Sequence, residues 1–98
     1  MGLAIGSQRI TADGVVGTSG ADIRIFEIIV RSDADGVSAV NLRNGTAVSN
    51  TIWDTIDVPA ASTTVSRVYA GGLLLVGGAY IDVDANTSFV TVIYQHNQ

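Results

Sequence analysis

Apolar and polar residues alternate with a period of two along most of the chain, the mark of strands that bury one face. The densest run is Asp22-Ile23-Arg24-Ile25-Phe26-Glu27-Ile28-Ile29-Val30-Arg31. As one regular strand it places Ile23, Ile25 and Ile29 on one face and Phe26, Ile28 and Val30 on the other, a pattern of burial on both sides. Ser32-Asp33-Ala34-Asp35-Gly36 reads as a turn. Val37 to Arg43 resumes the alternation, with Val40 and Leu42 on one face, and Asn44-Gly45 is the strongest short turn signal present. Thr51 to Val58 is a further strand, with Ile52, Ile56 and Val58 opposite Trp53 and Thr55. After Pro59-Ala60-Ala61, Ser62 to Ala70 sets Val65 and Tyr69 against Val68. Gly71-Gly72 and Gly77-Gly78 bracket a short apolar strand, Leu73 to Val76, and such glycine pairs mark bends or bulges. Ala79 to Val83 alternates, with Ile81 and Val83 opposite Tyr80 and Asp82. Asp84 to Thr87 turns, and Ser88 to Tyr94 is the last strand.

Six to eight strands spaced by turn residues, with no capped 3.6-residue period, predict an all-β fold. The expected architecture is an antiparallel β-sandwich or jelly roll, a single small domain over residues 1–98. Residues 1–21 are expected as an N-terminal arm or early hairpin. Ile25, Ile29, Leu42, Ile56, Leu74, Ile81, Val83, Phe89 and Val92 are expected in the core.

Composition narrows the function. The chain is 47% hydrophobic and 14% charged, against about 25% charged for a typical soluble domain. A 98-residue monomer buries only about 64% of its unfolded surface, so the core is thin. With no Cys, neither disulfides nor thiolate zinc sites can reinforce it. A thin core and an apolar surface predict a homo-oligomer, with a trimer favoured. Five Arg oppose nine acids. Arg9, Arg24, Arg31, Arg43 and Arg67 are scattered, which argues against nucleic acid as a partner. The N-terminus Met1-Gly2-Leu3-Ala4-Ile5-Gly6 has no basic start and is not expected to be a signal peptide, and Gly2 is not expected to be a myristoylation site. The longest apolar stretch, Gly71 to Ile81, is far below the ~20 residues of a membrane helix, so no membrane role is expected.

Nothing in the chain assembles into a catalytic set. Asp33-Ala34-Asp35-Gly36 lacks the flanking acids of an EF-hand, since Arg31 and Leu42 stand at the first and last ligand positions. Asp82-Val83-Asp84-Ala85-Asn86 lacks the following Gly and closing Glu, and reads as a strand end entering a turn. His96 reads as a polar tail residue rather than a triad member. Glu27, inside a strand, is expected to pair with an Arg rather than to serve in glycoside chemistry. No enzyme activity, cofactor or metal is therefore expected. The large amphipathic side chains Trp53, Tyr69, Tyr80 and Tyr94 are the candidate interface anchors, with Trp53 the one least expected in the core.

The segments Ile28-Ile29-Val30-Arg31-Ser32, Leu42-Arg43-Asn44-Gly45-Thr46, Gly72-Leu73-Leu74-Leu75 and Val90-Thr91-Val92-Ile93-Tyr94 together resemble small β-rich virion proteins of tailed bacteriophages. The resemblance spans roughly residues 23 to 94. It departs at Phe26-Glu27, where a Gly commonly precedes the strand. It implies a structural part of a virion, most simply a capsid decoration or cement protein that binds the major capsid protein and copies of itself. The alternative it implies is a tail or head appendage component that binds a host receptor or glycan, with Trp53 and a Tyr stacking on sugar.

Overall fold

A computed structural model describes residues 4–97. The expectations attached to Met1 and Gly2 lie outside these residues. Eight strands follow one another: β1 (Gly6–Ile10), β2 (Gly14–Val15), β3 (Ile23–Ser32), β4 (Ser38–Asn44), β5 (Ile52–Val58), β6 (Thr64–Leu75), β7 (Ala79–Val83) and β8 (Thr87–His96). Among the described residues there is no helix.

The strands form two four-stranded sheets, ordered β1-β8-β3-β6 and β2-β7-β4-β5, and every pairing is antiparallel. The nested pairs β1 with β8, β2 with β7, β3 with β6 and β4 with β5 define a jelly roll, the chain folded back on itself and then rolled. The expected antiparallel β-sandwich is what forms, with the strands connected as a jelly roll. Only β4 to β5 connects neighbours within a sheet; every other connection crosses between sheets. β1 and β2 therefore do not pair with each other, and the described part of the 1–21 segment climbs from one sheet to the other. The Asp33 to Gly36 turn likewise carries the chain across rather than closing a hairpin.

The core between the sheets is aliphatic. Ile10, Ile23, Ile25, Ile28, Val30, Leu75, Val90 and Val92 from the first sheet meet Val40, Leu42, Ile56, Val58, Ala79 and Ile81 from the second, all at 5% exposure or less. Each fully buried side chain of this size contributes about 1.5–3 kcal/mol. The two buried polar side chains are both satisfied. Ser32 Oγ donates to the Ala60 carbonyl at 2.6 Å and accepts from the Thr63 amide at 3.0 Å. The Ser38 and Thr87 hydroxyls share a 2.6 Å bond.

Bulges decide which residues face inward. In β3, Ile25 pairs with Tyr94 and Glu27 with Ile93, so Phe26 is an extra residue against β8, whereas on the β6 side the partner moves from Leu73 to Val68 and the extra residues lie in β6. One extra residue inverts the parity of everything after it. Ile28 and Val30 thus join Ile23 and Ile25 in the core, and Ile29, expected inside, is half-exposed on the outer face. In β6 the positive φ of Gly71 (+76°) and Gly72 (+85°) reshapes the strand. Leu75 opposes Ile23 in the core, and Leu74, also expected inside, opposes Arg24 and is 36% exposed. Phe89 opposes Arg31 on the outer face and is half-exposed, and Val83 packs half-buried against the core. Ile25, Leu42, Ile56, Ile81 and Val92 are buried as expected. In β5, Asp54 opposes Leu42 while Ile52 opposes Arg43. Trp53 is the extra residue here, and Ile52 turns to the same side as Trp53 instead of the core.

Candidate functional site

The parts of this molecule able to do chemistry or recognition lie on its surface. Among the described residues no pocket forms, and no three His, Cys, Asp or Glu side chains gather as a metal site would require. The two outer faces of the sandwich and the polar ties at its margins are what the strands position.

The outer face of β2-β7-β4-β5 carries two of the four candidate anchors. The β5 bulge leaves Ile52 (45%) and Trp53 (54%) exposed side by side, and Tyr80 stands next to them across Arg43. Arg43 is fixed by Asp82, at 2.8 and 3.0 Å, and by the Asn50 carbonyl at 2.8 Å. Asn41 bridges Asp82 and Thr55, and Asp57 lies exposed on the same face.

The other two anchors are engaged internally. Tyr69 points inward from β6 and donates to Asp54 Oδ2 of β5 at 2.7 Å; Arg67 reaches the same oxygen at 2.6 Å. These contacts tie the two sheets together along the margin formed by their edge strands. Burial, reinforced by the bond to Asp54, holds the Tyr69 phenol well above its ordinary range, so it acts as a donor. Tyr94 packs against the core, its ring edge-on to His96 at 5.5 Å. His96 is not a tail residue: it lies in β8, half-buried, and its Nε2 accepts the Thr18 amide at 3.0 Å. The Thr18 loop can approach so closely because a Cβ at Gly17 would lie 2.7 Å from His96 Nε2.

The acidic turns are structural. Asp33 Oδ1 accepts the Asp35 amide at 2.8 Å. The Asp84 carboxylate accepts from the Ala39 and Asn86 amides and the Thr87 hydroxyl at 2.8–3.0 Å. Partial burial works to raise the Asp84 carboxyl, but these donors outweigh it and hold the group below its ordinary 3.8.

The outer face of β1-β8-β3-β6 is the feature that sequence reading missed. Arg9, Arg24 and Arg31 all emerge on it. The Arg9 guanidinium lies 4.1 Å above the Phe89 ring, a cation–π arrangement. Arg31 donates to the Thr64 hydroxyl. Phe26, Ile29, Ile93 and Val68 fill the space between, with Val68 66% exposed. Glu27 belongs to this face and forms no ion pair among the described residues, contrary to expectation. The bulge at Phe26 seats it between Val68 and Ile93, not beside an Arg. The signal was available in the outward positions of Arg9 and Arg31, but reading it required the register.

Fold and surfaces together define a small jelly roll that presents two outer sheet faces and, among the described residues, no pocket. No family model matches the chain, and no curated protein does. Among solved structures, a protein from Bacillus endospore appendages, described as forming a novel family of disulfide-linked pili, is similar at a TM-score of 0.51 and 14% identity. The likeness covers 100% of this chain and 93% of that one. At that identity the similarity speaks for the all-β fold alone.

Proposed function

We propose that this protein is a structural subunit of a multi-copy surface assembly and works by contact rather than catalysis. The observation that carries this reading is the exposed apolar content of both outer faces, Ile52 and Trp53 on one and Val68 on the other. Side chains of that kind on a flat sheet are interface material. The finer reading is decoration of a bacteriophage shell, where the subunit would rest on the major capsid protein and raise the energy needed to separate neighbours. It is supported by the strand and turn pattern shared with small virion proteins.

A second reading, a subunit of a surface appendage, is favoured by the likeness to the endospore appendage protein. The covalent links described for that family have no counterpart here, because this chain contains no Cys. Its copies would be held by non-covalent contacts alone.

Counting the protein in purified material tests both readings. Gradient-purified phage particles and sheared surface appendages from the same culture are analysed by quantitative mass spectrometry. Hundreds of copies per particle support shell decoration. Enrichment in the appendage fraction supports the second reading. Recovery of the protein only as a free soluble species refutes both.

A further inference from the structure

The two outer faces carry opposite charge. On β1-β8-β3-β6, Arg9, Arg24 and Arg31 stand against Glu27 alone. Among the described residues, ion pairs join only Arg43 to Asp82 and Arg67 to Asp54, so these three guanidiniums have no carboxylate partner among those residues. On β2-β7-β4-β5, Asp57 and Asp82 stand against Arg43, which Asp82 already engages, so Asp57 is left as the uncompensated charge. Each face also presents exposed apolar side chains beside its charges.

From this we infer that the basic outer face of one copy seats the acidic outer face of a second copy, so that copies stack head to tail, sheet upon sheet. The inference rests on the reading of the chain as a structural subunit and names what one of its faces binds. A self-complementary contact would set like charges opposite one another, which is costly at an interface, whereas the heterologous contact pairs them. The area suffices. The molecule measures 43 × 26 × 18 Å between Cα atoms, and even a 43 × 18 Å face projects to about 770 Å², close to the ~800 Å² per partner of a standard interface. The two faces lie on opposite sides of one slab, so successive copies add along its thickness. Such contacts extend into an open stack instead of closing as the trimer expected from composition.

The test uses the full chain in sedimentation velocity at about 50 mM and about 500 mM salt, conditions that separate weak from strong screening. Two variants each spoil one face: Arg9→Glu with Arg31→Glu, and Asp57→Arg. Circular dichroism confirms that each folds, and Arg9→Glu alone replaces the double variant if that one does not. The wild type should form a ladder of species at low salt that shortens at high salt. Each variant alone should lose at least tenfold in self-association. Mixed together they should associate again, because the intact faces pair and the two reversed faces are themselves of opposite charge. Three results would overturn the inference: a wild type monomeric at about 100 μM in low salt, an Asp57→Arg variant that associates as the wild type does, or mixed variants that do not pair. If the protein is nevertheless found in hundreds of copies on particles, the stacking fails while the structural role stands. If the stacks form but the protein is absent from particles and appendages, the role fails instead.

Discussion

Asp54 holds the open margin of the sandwich, and replacing it by Ala offers a quantitative test of how that margin is closed. The substitution removes the acceptor of two bonds from β6, Tyr69 at 2.7 Å and Arg67 at 2.6 Å. A hydrogen bond to a charged group contributes about 1.5–3 kcal/mol. The Arg67 contribution is smaller, because its side chain is 42% exposed and ion pairs that water can screen are worth at most about 1 kcal/mol. The expected loss is therefore about 2–3 kcal/mol, mostly through the Tyr69 hydroxyl left without its partner. At roughly 4–8 °C per kcal/mol for a domain of this size, the melting temperature should fall by about 8–24 °C. Asp54→Asn keeps an acceptor but not the charge and should lose about half as much. Urea denaturation of Asp54→Ala, Tyr69→Phe and the double variant completes the cycle, with a coupling of about 1 kcal/mol or more expected between the two side chains. In Asp54→Ala the Tyr69 phenol should titrate closer to its ordinary 10.0, followed by ultraviolet absorbance. A loss below about 0.5 kcal/mol for Asp54→Ala, or strict additivity with Tyr69→Phe, would show that the margin is closed by packing and not by this tie.

Trp53→Ala should leave folding nearly unchanged, within about 1 kcal/mol, because the ring is 54% exposed; it should weaken assembly by about 2 kcal/mol or more per site if Trp53 anchors the contact. Thermal melts and a binding assay on the same preparation separate these effects. Gly78→Ala should destabilise by more than about 2 kcal/mol, since φ is +130° and the new Cβ would lie 2.6 Å from the Gly45 carbonyl oxygen. Gly71→Ala, with φ of +76° but open space around it, should lose only about 1 kcal/mol in the same denaturation assay. Asp84 binds its proton less readily when folded, so the stability it contributes is complete above its ordinary 3.8 and is lost as pH falls below that value. Asp84→Asn should accordingly flatten the acid limb of a stability–pH curve; an unchanged limb would assign acid sensitivity to other carboxylates.

The positions of the strands were readable from the chain because turn residues punctuate them. Ala79–Val83 emerges with the bounds the alternation gives, and Thr51 to Val58 differs from β5 by one residue. The facing of side chains was readable only where strands are regular. Val40 and Leu42 follow the period of two, as do Val65 and Tyr69 against Val68. Phe26 and Trp53 do not, because an extra residue is invisible to periodicity until the partner strand fixes the register. For that reason Ile29 and Ile52 were misassigned together with Glu27, and Leu74 was misassigned because Gly71 and Gly72 reshape β6. Residues 1–21 were read only as an arm or early hairpin, for another reason: Gly6-Ser7-Gln8-Arg9-Ile10 carries little apolar signal, and its strand state depends on pairing with β8. Of the candidate anchors, Trp53 and Tyr80 share a face, whereas Tyr69 and Tyr94 serve internal contacts that composition alone does not distinguish. The basic face was hidden because sequence scatters its three arginines across residues 9 to 31.

The nesting of the strand pairs also sets the order in which this molecule can come into being. β8 follows every other strand in the chain, yet it lies between β1 and β3 in its sheet. While the chain is emerging from the ribosome, β1 has no partner at all, because β8 is the strand it pairs with. The β4–β5 hairpin is the one pairing available early, and long-range pairings of this kind close slowly, on a scale of milliseconds to seconds. The outer face of β1-β8-β3-β6 therefore does not exist on a nascent chain. A subunit cannot offer that face to a neighbour until β8 has been made and has left the ribosome, so any assembly that uses it draws on copies in which that last described strand is already in place.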